Sequence, residues 1–164
     1  MEQLIVTPIR SYEFIIGKTI PYILIALLQL FAVTGVAVYW FEIPFKGSFL
    51  LLLLAACLFL LSTLGIGLFI STISSTKQQA MMTAFFFVVP FFMLSGFVFP
   101  IANMPDPVQW MTYLNPLRFF LVIIRNIFLK GVGFDVLWPQ YLALTILGAI
   151  VFTGAIARSK KRLD

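Results

Sequence analysis

The stretch that most constrains the fold is residues 81–99, MMTAFFFVVPFFMLSGFVF, which holds seven Phe and no charged residue. About 20 residues of helix, at 1.5 Å each, cross the hydrocarbon core of a bilayer, so this stretch predicts a membrane-spanning helix. Pro90 in its interior removes a backbone donor and predicts a kink, which lipid tolerates only where neighbouring groups satisfy the freed carbonyl. The following SGFVFPIANMPDP carries three prolines and cannot continue the helix.

The composition supports a membrane protein. The 164 residues are 62% hydrophobic and 10% charged, whereas a soluble domain is about 25% charged. A water-soluble core of this size cannot hide so much apolar surface. The sequence therefore predicts an all-α integral membrane protein with a single transmembrane domain over residues 1–164. The net charge of +5 then describes topology rather than a nucleic-acid surface, and no nucleic-acid partner is expected.

Four spans are predicted from the apolar runs. Residues 1–19 come first as a polar segment at the membrane surface, without the pattern of a secretory signal. Pro21 is expected in the first turn of the first span, where proline is harmless. The predicted spans cover about residues 20–41, 49–73, 81–99 and 138–157.

The loop at residues 100–137 decides the topology. Within it, residues 117–129 are apolar but too short to span, and they contain Arg118 and Arg125, which are costly at mid-bilayer. These residues therefore predict an interfacial or re-entrant external helix, with both arginines on one face.

Four spans place both termini on one side, and the basic tail at residues 158–164 assigns that side to the cytoplasm. Seven basic residues then lie inside and four outside. The inner set is Arg10, Lys18, Lys77, Arg158, Lys160, Lys161 and Arg162, and the outer set is Lys46, Arg118, Arg125 and Lys130. Six aromatic residues are expected as a belt at the outer interface, namely Tyr39, Trp40, Trp110, Tyr113, Trp138 and Tyr141.

Small residues recur every four positions in the second span, at Thr63, Gly67 and Ser71. Such a stripe lets another helix approach closely. The alternative is that small residues are simply common in membrane helices, and the sequence alone leaves both open.

The sequence contains few of the groups that catalysis or ion coupling needs. It has no His and one Cys, Cys57, so the usual zinc and haem ligand sets are missing and no intrachain disulfide is possible. It has no GxxxxGK[ST] phosphate loop. No acidic residue falls within a predicted span, where coupled carriers usually keep one. We therefore expect a non-enzyme without a cofactor or metal, powered by another polypeptide, and an intramembrane enzyme is disfavoured.

Four stretches carry a resemblance to a known family. The opening EQLIVTPIRSYEFIIGK, residues 2–18, contains E-x-L-x-V-T-P followed by E-x-x-x-G-K. SGFVFPIANMP follows at residues 95–105, then YLNPLRFF at 113–120 continuing to LKG at 129–131, and finally a last span with a basic tail. In this order they resemble the membrane subunits of type-2 ATP-binding-cassette exporters, especially bacterial drug-exporter-like permeases.

The resemblance covers essentially the whole chain but only part of the family pattern. A usual member has six spans and an external domain between the first two, whereas this chain corresponds to the part from about the loop before the third span. The chain is therefore expected to be a fragment, a truncated reading frame or half of a split permease. The resemblance implies the bacterial inner membrane, a separate ABC ATPase and a second permease subunit, as a homo- or heterodimer in the lipid bilayer.

The resemblance also implies roles for individual residues in moving an amphiphile, such as a drug, out of the cytoplasm. ATPase coupling would fall to Glu2, Leu4, Thr7 and Pro8, and the translocation path to Gln29, Phe85, Phe86, Pro90, Phe91 and Met93. Arg118 and Arg125 would lie at the exit, although headgroup anchoring fits them equally. The Phe rings equally fit contact with lipid, and Gln29 fits a partner on a neighbouring helix. The alternative function is a truncated, non-transporting membrane protein that only binds a partner.

Overall fold

The computed structural model describes residues 10–163, apart from the side chains of residues 11, 15 and 159–163. No strand occurs in this part of the chain, so the predicted all-α class is confirmed. A 3-10 turn at Ile101–Asn103 precedes α4, and a π-helical turn at Asn126–Lys130 extends α5. The helices are α1 (Ser11–Tyr39), α2 (Phe49–Ile73), α3 (Lys77–Met93), α4 (Asp106–Thr112), α5 (Pro116–Arg125) and α6 (Phe134–Leu163).

Three helices are long and apolar enough to cross a membrane, namely α1, α2 and α6. They correspond to the first, second and fourth predicted spans. The helix of the first span begins earlier than predicted, because the backbone N–H of Arg10 donates to the Glu13 carboxylate at 3.2 Å and closes a first turn there. Pro21 therefore lies inside α1 and not in its first turn.

The third predicted span is a shorter helix than expected. The Thr76 hydroxyl accepts from the backbone N–H of Gln79 at 3.1 Å, so α3 begins at Lys77. At the other end the Ser95 hydroxyl donates to the Phe92 carbonyl at 2.6 Å, and Gly96 has a φ of +85°. The prediction of a helix continuing to residue 99 was therefore wrong. The 17 residues of α3 extend about 25 Å, slightly less than a hydrocarbon core of about 30 Å.

Helices α2 and α6 form the main contact of the bundle, and they run parallel. Residues nearer the C-terminus of α2 contact residues nearer the C-terminus of α6, which is the order expected of parallel helices. The hydroxyl of Tyr141 donates to the Leu51 carbonyl at 2.6 Å at the first of these contacts. The paired residues are, in order, Leu51 with Tyr141, Ser62 with Gly148, Gly65 with Phe152 and Phe69 with Arg158.

This parallel pairing constrains the path of the chain between the two helices. Two parallel spans must be joined by an odd number of crossings, so α3 and the α4–α5 pair cannot both cross. The α4–α5 pair is sharply bent, by 82°, whereas α3 is one continuous helix. The crossing by α3 and the external placement of α4 and α5 stay predictions.

The buried core lies where α5 fills the angle between α2 and α6. In contrast, α3 contains no buried residue, none of the described side chains of α1 is buried, and both helices present apolar faces outward. Lipid or another chain can cover such faces without the cost that water would impose. The core residues are Leu52, Ala55, Ile123, Ile127, Leu137, Tyr141 and Leu144.

The glycines of α2 give a test of the α2–α6 contact. A Cβ atom at Gly65 would lie 3.0 Å from the backbone N of Phe152, whereas one at Gly67 would meet nothing within 4 Å. We expect Gly65→Leu to destabilise the protein by about 1–3 kcal/mol through overpacking, and Gly67→Leu to be close to neutral. Thermal unfolding of the purified protein in detergent measures both, and equal Tm values for the two variants would contradict the observed contact between α2 and α6.

Candidate functional site

The candidate site is the bend between α4 and α5, which is held to the end of α3 by Asn115. This side chain is almost fully buried. Its Oδ1 accepts from the backbone N–H of Leu117 at 3.0 Å and caps α5, while its Nδ2 donates to the Phe91 carbonyl at 2.5 Å. Pro116 follows as the first helical residue, where its missing N–H costs nothing. Asn115 thus satisfies the start of one helix and one of the last carbonyls of another.

Arg118 lies one turn into α5 and is half-buried. Its Nη1 donates to the Thr112 hydroxyl, and its guanidinium carbon lies 4.1 Å from the centre of the Tyr113 ring. The Thr112 hydroxyl in turn donates to the Gln109 carbonyl at 2.6 Å. No carboxylate of the described residues forms an ion pair with this guanidinium. Among the described residues its charge is met by one hydroxyl oxygen and by cation–π contacts with Tyr113 and Phe119.

The contacts of α5 with α2 fix the position of this bend along α2. The ring of Phe120 stacks on Phe59, with centroids 4.5 Å apart and planes at 3°. Further along, the Phe128 carbonyl accepts from the backbone N–H of Lys46, in the loop just before α2. Helix α5 therefore runs antiparallel to α2, and Phe120, in its second turn, lies beside the residue ten positions along α2, about 15 Å from the start of that helix. The geometry favours the re-entrant interpretation of this helix over the interfacial one.

Arg125 lies on the same side of α5 as Arg118 and Asn115. Its Nη2 donates to the Gly96 carbonyl at 3.3 Å, in the turn that follows α3. The polar face of α5 therefore contacts the tail of α3, while the opposite face carries Ile123 and Ile127 into the core. The predicted exit role of Arg118 and Arg125 stays a prediction.

The predicted path residues fall on two helices. On α3, Phe85 and Phe86 are 68% and 77% exposed, Met93 and Pro90 are also exposed, and Phe91 is half-buried. Gln29 lies exposed on α1. The structure brings the five α3 residues onto one helix with an open outer face, and it does not enclose them. The predicted coupling residues, Glu2, Leu4, Thr7 and Pro8, lie outside the described residues.

The predicted packing stripe does not face α6. Thr63 is half-buried, with its hydroxyl donating to the Phe59 carbonyl at 3.0 Å, and Gly67 and Ser71 are exposed. The close approach uses Ser62 and Gly65 instead. Their spacing of three residues is a weaker signal than a repeat of four. A role for the predicted stripe in packing against another chain stays a prediction.

Sequence reasoning missed Asn115, Thr112 and two loop glycines. A Cβ atom at Gly47 would lie 2.7 Å from the Ile127 carbonyl oxygen, and Gly131 has a φ of +63° and packs on Lys46. These glycines let the loop before α2 contact the π-helical turn directly. Helices commonly end at a glycine in the left-handed conformation, so the sequence could have predicted that Gly131 ends this helix. Tyr141, expected in the aromatic belt, is instead a core residue.

The fold defines an all-α membrane protein with several apolar helices long enough to span and one sharply bent helix pair. The model of the ABC-2 type transporter family matches residues 1–129. The chain therefore belongs to the ABC-2 type transporter family.

Several relatives from Escherichia coli K12 are similar over essentially the whole chain. The probable multidrug ABC transporter permease YbhR is 34% identical over 163 residues, covering 99% of this chain, and YbhS, which carries the same description, is 37% identical over 169 residues, covering 100%. The inner membrane transport permease YhhJ is 31% identical over 168 residues, covering 99%. This chain spans 44% of the length of each relative. No solved structure matches it.

Substitution of Asn115 tests the link between α3 and α5. In Asn115→Ser the hydroxyl still caps α5 but cannot reach the Phe91 carbonyl. Leaving that buried carbonyl unpaired should cost about 1–3 kcal/mol. Asn103→Ser, at an exposed asparagine of the 3-10 turn, is the matched control and should leave the Tm unchanged. Thermal unfolding in detergent measures both, and an unchanged Tm for Asn115→Ser would contradict the link.

Proposed function

We propose that this chain is the C-terminal membrane part of a permease subunit in an ATP-driven exporter. The exporter would move an amphiphile, such as a drug, out of the cytoplasm across the bacterial inner membrane. The observation that carries this proposal is the family match over residues 1–129, together with relatives named as multidrug permeases. Both termini would face the cytoplasm, as the basic tail predicts.

The distribution of charge supports an external source of energy. Helix α2 contains no charged residue, and the charges of α3 and of the apolar part of α6 lie close to their ends. The described residues contain no cluster of three or more His, Cys, Asp or Glu side chains that could hold a metal ion. Ion-coupled carriers usually keep an ionisable side chain at mid-span to hold the coupling ion, and α2, α3 and the apolar part of α6 have none there. A separate ABC ATPase would supply the energy, and residues 1–9 would contact it.

The aromatic face of α3 supports a role in the path. Phe85, Phe86 and Met93 are exposed on a helix that has no buried residue, so they are available to an apolar ligand or to a second permease subunit. A surface of Phe and Met adapts to varied apolar shapes. Gln29 of α1 would add a hydrogen-bonding group to the path.

The assignment of residues 1–9 to ATPase coupling predicts that substitutions there abolish binding of the ATPase. Replacing Glu2, Thr7 and Pro8 together with Ala should abolish co-purification with the ATPase encoded by a neighbouring gene, while the permease still reaches the membrane. Lys77→Ala, at an exposed residue after α2, should retain the ATPase. If the triple variant binds the ATPase normally, the coupling assignment fails. If the unchanged protein binds no ATPase, the result favours the alternative function, a non-transporting membrane protein.

The path assignment predicts a selective effect on transport. Phe86→Ala should lower export of an amphiphilic dye from vesicles by about threefold to tenfold, since a lost aromatic contact is worth about 1 kcal/mol. Leu28→Ala, at a similarly exposed apolar residue of α1, should leave export unchanged. Equal export rates for the two variants would remove α3 from the path.

A further inference from the structure

The guanidinium of Arg118 has no anionic partner among the described residues. It lies at the bend, two residues before Phe120, whose ring stacks on Phe59 about 15 Å along α2 from the start of that helix. Its partners are the Thr112 hydroxyl and the faces of Tyr113 and Phe119, at 4.1 and 5.9 Å. A half-buried cation among neutral partners is costly unless it faces water or an opposite charge.

The backbone adds to the positive potential around this side chain. Arg118 is the third residue of α5, where the helix dipole is positive, and the first turn of this helix carries no acidic residue. A cation at a helix N-terminus is unfavourable, whereas an anion there is stabilised. An anionic ligand would therefore relieve two unfavourable terms at once. Four of the five N–H donors of the guanidinium have no protein acceptor in the described structure.

An apolar cavity lies one helical turn away. It has a volume of about 280 Å³ and is formed by the end of α3, the 3-10 turn and α4. Its wall includes Met93, Phe99 and Val108. Val108 and Thr112, the hydroxyl partner of Arg118, are four residues apart on α4 and so lie on the same face of that helix. The cavity and the guanidinium are thus neighbours along one surface.

We propose that this surface binds an amphiphile with an acidic headgroup, its carboxylate or phosphate on Arg118 and its apolar body in the cavity. The inference rests on the proposed function and specifies its substrate class: acidic amphiphiles would be preferred over neutral ones of the same shape. The planar guanidinium suits this task because it can bind a carboxylate or phosphate through two parallel hydrogen bonds. Arg118 would contact the ligand headgroup, and Thr112 and Tyr113 would hold the guanidinium in place.

The test measures binding without requiring transport. The probes are dansylamino-undecanoic acid and its uncharged primary amide, which share the same tail, titrated by fluorescence. The protein is purified with its co-purifying chains in a nonionic detergent free of phospholipid. The unchanged protein should bind the acid about tenfold more tightly than the amide, as expected for a charge-assisted pair.

Three variants make the result specific. Arg118→Gln should abolish the preference for the acid while keeping the affinity for the amide, which shows that the cavity is still folded. Arg118→Lys should keep part of the preference, because the charge remains but the planar fork is lost. Lys130→Gln makes the same change of charge at an exposed residue beyond the end of α5, and it should behave as the unchanged protein.

Each remaining outcome counts against the proposal. Equal affinities for acid and amide in the unchanged protein would overturn it, as would an equal loss of preference in Lys130→Gln, which would indicate a diffuse surface charge. If a lysophosphatidylglycerol displaces the acid from Arg118 in a complex that does not export the acid, the occupant of the headgroup site is membrane lipid, and the assignment of a transported substrate class is overturned. Export of neutral dyes that persists in any of these cases leaves the proposed function standing without this substrate class.

Discussion

The parallel contact between α2 and α6 is the constraint on which the remaining structure depends. Once Leu51 pairs with Tyr141 and Gly65 with Phe152, both helices must cross in the same direction. Residues 74–133 then have to return the chain across the bilayer once and still end beside the start of α2. A single helix with a re-entrant pair satisfies this requirement, and a symmetric hairpin of two spans does not.

The forces that hold this contact differ from those of a soluble core. Lipid tails are as apolar as Leu, so burying Leu between helices gains little, and close approach with polar links takes over. This explains why the small residues Gly65, Gly148 and Ser62 lie where α2 contacts α6, and why the Tyr141 hydroxyl donates to a backbone carbonyl there. It also explains how α1 and α3 leave wide apolar faces uncovered without loss of the fold.

The sequence predicted the helical class, three of the long helices and a short helix at residues 117–129, because these follow from hydropathy and length alone. It failed at the end of α3, where Ser95 and Gly96 form a turn inside an apolar run. Hydropathy cannot detect such a turn, since lipid-facing turns and helices share the same composition. It identified a stripe of small residues on α2 but not the residues that contact α6. The stripe at Thr63, Gly67 and Ser71 and the contact residues Ser62 and Gly65 lie on nearly opposite sides of α2, about 170° apart, and only the partner helix decides which side is used.

The bend at Asn115 connects these observations. A chain that turns back within a bilayer exposes backbone groups that water cannot reach, so each must find a partner within the protein. Asn115 supplies two, one for α5 and one for α3, and Arg125 supplies a third at Gly96. The charge of Arg118, in contrast, has only neutral partners among the described residues, namely the Thr112 hydroxyl and the rings of Tyr113 and Phe119. Because other side chains make the backbone links of the bend, this cation is left available to an anion, as the proposed headgroup site requires.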